Sequence, residues 1–135
     1  MRMVGTKIHG LLDYLLGIAL ISAPLLLNMA PDGAETWVPA LVGLAVIVYS
    51  LFTNYELGLW KYISVRTHLW LDLVNGIILC FSPWLFGFSH LVWTPHFLLG
   101  VIMICISLVT KPRPSANYRD KRASIPPVIS SVIEP

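Results

Sequence analysis

The sequence predicts an all-α integral membrane protein. The expected architecture is a four-helix bundle of two tandem two-span hairpins, related by a pseudo-two-fold axis along the membrane normal. Three observations predict it: a composition that water cannot solvate, four apolar runs of spanning length, and a repeat at an offset of 59 residues. Of the 135 residues, 56% are hydrophobic and only 12% charged, against roughly a quarter charged in ordinary globular domains. A soluble fold has too few charges here to cover its surface, whereas lipid solvates the excess apolar area.

The apolar runs cover residues 8–27, 37–55, 68–87 and 93–110, each 18 to 20 residues long. About 20 residues at about 1.5 Å each cross the roughly 30 Å of hydrocarbon in a bilayer. All nine Lys and Arg lie outside these cores and in alternate loops. Arg2 and Lys7 precede the first run, Lys61 and Arg66 separate the second from the third, and Lys111, Arg113, Arg119, Lys121 and Arg122 follow the fourth. Loops 28–36 and 88–92 have no Lys or Arg, so the positive-inside rule places both termini and the central loop in the cytoplasm. The opening MRMVGTK has the charge of a signal-peptide n-region, but His9 and Asp13 interrupt the apolar run that follows. That run also has a second copy inside the chain, so the first span is expected to stay.

The copies are HGLLDYLLGIALISAPLLL from His9 and HLWLDLVNGIILCFSPWLF from His68, aligned without a gap. They coincide at eight positions: His9/His68, Leu12/Leu71, Asp13/Asp72, Gly17/Gly76, Ile18/Ile77, Leu20/Leu79, Pro24/Pro83 and Leu26/Leu85. The second spans match as well. Trp37 and Pro39 pair with Trp93 and Pro95, while Gly43, Ser50, Leu51 and Thr53 pair with Gly100, Ser107, Leu108 and Thr110. A two-span unit returns to its starting side, so both copies have one orientation. Residues 1–62 form the first hairpin repeat with its connecting loop, 63–111 the second, and 112–135 a flexible cytoplasmic tail. Pro24 and Pro83 are expected to kink or end their spans. Trp37, Trp84 and Trp93 at one end, with Tyr55, Trp60 and Tyr62 at the other, read as interfacial aromatic belts.

Ser82-Pro83-Trp84, together with His68, Asp72 and Gly76 upstream, resembles the SPW repeat family of small bacterial membrane proteins. That family is recognised by a duplicated two-span unit with Ser-Pro-Trp in its first helix. The resemblance spans about residues 7–110, and in the first copy the signature is reduced to Ala23-Pro24-Leu25. It implies a multi-pass protein of the bacterial inner membrane and brings no activity with it.

Function must therefore be read from the polar residues kept in both copies. At about 100° per residue, His9, Leu20, Asp13, Pro24 and Gly17 share one sector about 80° wide. His68, Leu79, Asp72, Pro83 and Gly76 do the same on the third span. Small residues on such a face let helices approach closely, and a carboxylate inside a span is costly unless paired, protonated or wet.

Three readings are open. In the first, His9, Asp13, Gly17, His68, Asp72 and Gly76 tie helices together, with Ser50, Asn54, Ser107 or Thr110 as partners. The protein is then a non-enzymatic module in contact with the bilayer and with a second copy or another membrane protein. In the second, the two His–Asp pairs serve a small transporter or a proton- or ion-conducting oligomer. In the third, His9, Asp13, His68 and Asp72 hold a divalent metal, or His9 and His68 hold a haem between them. The first reading is preferred, so no cofactor and no metal is expected. Cys80 and Cys105 read as packing residues rather than a disulfide, and His90, His96, Asp32 and Glu35 as interfacial or solvated groups. The basic cluster of the tail fits a topology signal or anionic headgroups, and no nucleic-acid motif is present.

Overall fold

The computed structural model describes residues 3–124. It is built of helices α1 (Thr6–Leu26), α2 (Ala34–Leu51), α3 (Val65–Leu85), α4 (Thr94–Val109) and α5 (Ala116–Ala123). The first three are long and apolar enough to cross a membrane. The fourth is apolar but shorter than its sequence run suggests. It has 16 residues, starts at Thr94-Pro95 where proline favours a first turn, and stops because Thr110 is extended at φ −81°, ψ 141°. Its length is about 24 Å at about 1.5 Å per residue.

Capping and turn chemistry fix the other ends. The Ser64 hydroxyl accepts from the Thr67 amide at 3.1 Å and so starts α3. After α1 and α3 the chain turns through Asn28 and Gly87, equivalent positions with φ of +50° and +75°. Asparagine and glycine are the residues that tolerate this left-handed conformation. Pro24 and Pro83 lie inside their helices, each of which ends two residues later.

The closest helix pairs are α1 with α2 and α3 with α4, while α2 with α3 and α1 with α4 touch more lightly. Within each hairpin the crossing is glycine on glycine. A Cβ on Gly43 would stand 2.6 Å from the Gly17 carbonyl oxygen, and one on Gly100 would stand 2.7 Å from that of Gly76. The repeated glycines thus pack each hairpin internally. Leu20, Val42, Val46, Tyr49, Leu79 and Met103 close the interior. Large apolar side chains such as Ile8, Leu11, Leu15, Leu41, Leu44, Ile77 and Phe81 point outward, as a lipid-facing surface requires.

The two hairpins are stitched at one end by matching backbone bonds. Val4 N donates to Val109 O at 3.1 Å and Lys111 N to Val4 O at 2.9 Å. The equivalent pair is Ile63 N to Phe52 O at 2.9 Å and Asn54 N to Ile63 O at 2.8 Å. The segment leading into each first helix therefore pairs with the segment leaving the other repeat's second helix.

The tail departs from the flexible segment expected over 112–135. It forms α5, capped by the Ser115 hydroxyl on Tyr118 N at 3.4 Å. The helix is fastened to the central loop through Asn54, which accepts from the Tyr118 hydroxyl at 2.8 Å and Arg122 Nη1 at 2.6 Å. Glu56 completes the clasp, accepting from Thr6 Oγ1 at 2.6 Å and Ser115 N at 3.0 Å. Burial alone would raise the Glu56 carboxyl, but hydrogen bonds from Ser115 and Thr6 outweigh it and hold the group below its usual value. The remainder of the expected tail, 125–135, lies outside the described residues.

Candidate functional site

His9 and Asp13 on α1 and their counterparts His68 and Asp72 on α3 meet at one point, each at most 3% exposed. His9 Nε2 lies 3.0 Å from Asp72 Oδ2, and His68 Nε2 lies 2.9 Å from Asp13 Oδ2, so each imidazole reaches the carboxylate of the other repeat. The contacts within each helix are slightly longer, 3.3 Å for His9–Asp13 and 3.2 Å for His68–Asp72. The two Nε2 atoms are 3.2 Å apart, with the rings edge to face at 75°.

A second ring of groups aims these side chains. Thr53 Oγ1 contacts His68 Nδ1 at 2.8 Å, and Thr110 Oγ1 contacts His9 Nδ1 at 3.0 Å. Each threonine hydroxyl also donates to the carbonyl four residues back, Thr53 to Tyr49 O at 2.7 Å and Thr110 to Ile106 O at 2.6 Å. With its one proton committed to that carbonyl, the hydroxyl can only accept from the ring. Both imidazoles therefore carry a proton on Nδ1 and face the centre with Nε2. Tyr49 adds a bond without a counterpart, its hydroxyl donating to Asp72 Oδ1 at 2.5 Å. The position equivalent to Tyr49 in the second repeat is Ile106.

Of the six residues expected to pair helices, four converge here. Gly17 and Gly76 lie one turn further along and serve the hairpin crossings. The expected partners were right for Thr110 and wrong for the others. Ser107 donates to Leu69 O at 2.7 Å, Asn54 holds α5, and Ser50 makes no bond to the quartet. Thr53 and Tyr49 were not foreseen as partners. Thr53 was legible as the repeat match of Thr110, whereas Tyr49 breaks the repeat and left no signal.

The signature residues sit at the other end of α3. Ser82 is fully buried and donates to Leu79 O at 2.8 Å. That carbonyl is the one whose helical donor Pro83 has removed, so the serine repairs what the proline breaks. Trp84 is exposed and packs beside Trp93, ring centroids 6.1 Å apart.

Two expectations near that end are corrected. Glu35 lies in the first turn of α2 and is buried rather than solvated. His96 is buried rather than interfacial, its Nε2 3.0 Å from Glu35 O. The haem reading fails on distance and on crowding. Two axial nitrogens at roughly 2.0 Å from one iron would stand about 4 Å apart with a macrocycle between them. Here they are 3.2 Å apart, with carboxylates on both flanks. The transport path would meet an apolar interior among the described residues. Beyond Tyr49 the interior is filled by Leu20, Leu79, Val46 and Met103.

A helical chain with three helices long and apolar enough to cross a membrane, and a polar quartet drawn from both copies of its sequence repeat, is of the kind found in small multi-pass membrane proteins. The SPW repeat domain model matches residues 7–110, and the chain belongs to that family. No curated protein and no solved structure matches it.

Proposed function

We propose that the protein is a non-enzymatic, four-span module of the bacterial inner membrane whose two hairpins are locked together by the His–Asp quartet. The observation that carries this reading is reciprocity: each histidine bonds to the other repeat's aspartate and is held by the other repeat's threonine. No part of the quartet is complete within one hairpin. The matched backbone clasps at Val4–Thr110 and Thr53–Ile63 support a pseudo-two-fold axis along the membrane normal, relating the hairpins of a four-helix bundle. α1 and α3 then lie across the bundle from each other, and the quartet's side chains bridge them.

The orientation with termini and central loop in the cytoplasm is supported by a pocket of about 590 Å³ at that end, lined by Arg66, Lys111, Arg113 and Arg119. Basic groups at one face suit anionic headgroups and the positive-inside rule. The exposed apolar belt meets the bilayer, and a second copy or another membrane protein is the partner class it suits.

A protease site placed in the central loop tests the lock. After cleavage in detergent, wild-type halves are expected to copurify, while Asp72→Ala halves separate. Halves that part equally easily in both proteins would refute the reading.

A further inference from the structure

We infer that His9, Asp13, His68 and Asp72 form a site for one divalent transition-metal ion of the zinc type. The inference deepens the reading of the quartet as the lock between hairpins and rests on it.

The first argument is the shape of the donor set. Five of the six distances among the two Nε2 and two Oδ2 atoms measure 2.9 to 3.3 Å. A tetrahedral metal with bonds of about 2.0 Å has edges of about 3.3 Å. Each of the four residues offers a ligand atom within 4.8 Å of the other three.

The second argument is orientation. Thr53 and Thr110 hold the Nδ1 protons, so both Nε2 atoms converge on the space between the aspartates, where a metal would take the place of their protons. Tyr49 occupies Asp72 Oδ1 and leaves Oδ2 free for the centre. Metal-ligating histidines characteristically donate their second ring N–H to a fixed oxygen, and ligating carboxylates are themselves hydrogen-bonded. Here those outer partners are in place on three of the four ligands.

The third argument is charge. Two buried carboxylates set among imidazole nitrogens, all at most 3% exposed, need positive charge among them. Two imidazolium ions would supply it, but they would bring like charges and two N–H groups face to face across 3.2 Å. One divalent ion neutralises both carboxylates and turns every short contact into a shared bond. Two imidazoles with two carboxylates suit zinc and its neighbours in the first transition row, whereas magnesium and calcium prefer oxygen alone. The burial of the set matches a closed, structural site rather than an open catalytic one.

The test uses the full chain, purified through a tag without histidine and analysed for metals by mass spectrometry. About one equivalent of a divalent transition metal per chain is expected. After chelation, Co²⁺ is expected to bind with the strong visible absorption of a tetrahedral centre. His68→Ala and Asp13→Asn should bind less than roughly a tenth of an equivalent. Tyr49→Phe leaves the ligands intact and should weaken the metal roughly 10-fold, as loss of such outer partners does. A wild-type chain that carries no metal and takes up neither Zn²⁺ nor Co²⁺ overturns the inference, whatever the variants do. The cleavage assay run on the same preparation separates the two claims. A chain that takes up no metal but whose halves hold together sinks this site alone, while wild-type halves that fall apart with and without added metal sink the lock.

Discussion

Replacing Ser82 by Ala tests what the Ser-Pro pair of α3 does. Pro83 has no amide proton, so Leu79 O has no donor four residues ahead, and the Ser82 hydroxyl supplies one at 2.8 Å. Leu79 and Ser82 are both 0% exposed, so water cannot take the hydroxyl's place. An unsatisfied buried carbonyl costs roughly 1–3 kcal/mol in soluble proteins, and side-chain bonds inside membranes average about 0.6 and reach about 1.7 kcal/mol. Ser82→Ala should therefore cost about 1 kcal/mol, near fivefold in the unfolding equilibrium. Pro83→Ala restores a backbone donor to Leu79 O, and in that background the same serine change should cost nothing measurable. The assay is a double-mutant cycle on unfolding in mixed micelles, followed by tryptophan fluorescence. A serine effect of equal size in both backgrounds would refute the repair argument. In the first repeat, Ala23 precedes Pro24 and Ser22 spends its hydroxyl on Ile18 O and Ala19 O instead. Ala23→Ser should there gain up to about 1 kcal/mol.

Two further outcomes follow from other contacts. Gly100→Ala would place a Cβ 2.7 Å from Cys80 N and from Gly76 O, both backbone atoms that cannot swing aside. The α3–α4 crossing must then open, at about 1–3 kcal/mol, while Gly5→Ala, with open space around it, should stay near wild type in the same unfolding experiment. For the tail, the Glu56 carboxyl is held below its ordinary value of 4.5 by its hydrogen bonds. Its contribution is thus fully present above that value and is lost as pH falls through the lower, folded-state one. A spin label at Ala123 should be immobilised at neutral pH and freed only in acid below that value, whereas Glu56→Ala should free it at every pH.

Three spanning helices and the convergence of the four polar residues were legible because they rest on patterns that the sequence displays twice. Equal positions of His and Asp in the two copies could be read directly. Which partner each would choose could not, since the exchange between hairpins depends on how α1 and α3 face each other. Thr53 illustrates the boundary: its match to Thr110 was visible, but its role required knowing that its hydroxyl proton goes to Tyr49 O. Tyr49, with isoleucine at the equivalent position, has no echo in the repeat. Glu35 and His96 were misread because their loops are polar, while burial there comes from the other hairpin. Helix α5 was missed because its short, highly charged stretch has no apolar face and is held by two side chains from elsewhere, Asn54 and Glu56.

The exchange of partners between repeats has a consequence during synthesis. His9 and Asp13 leave the ribosome 59 residues before His68 and Asp72. At roughly 5–20 residues per second, the first hairpin waits about 3 to 12 s with His9 and Asp13 limited to each other, at 3.3 Å, before the partners from the other repeat exist. During that interval the shorter of its two sets of contacts cannot form, and the quartet closes only when the chain's own second copy arrives.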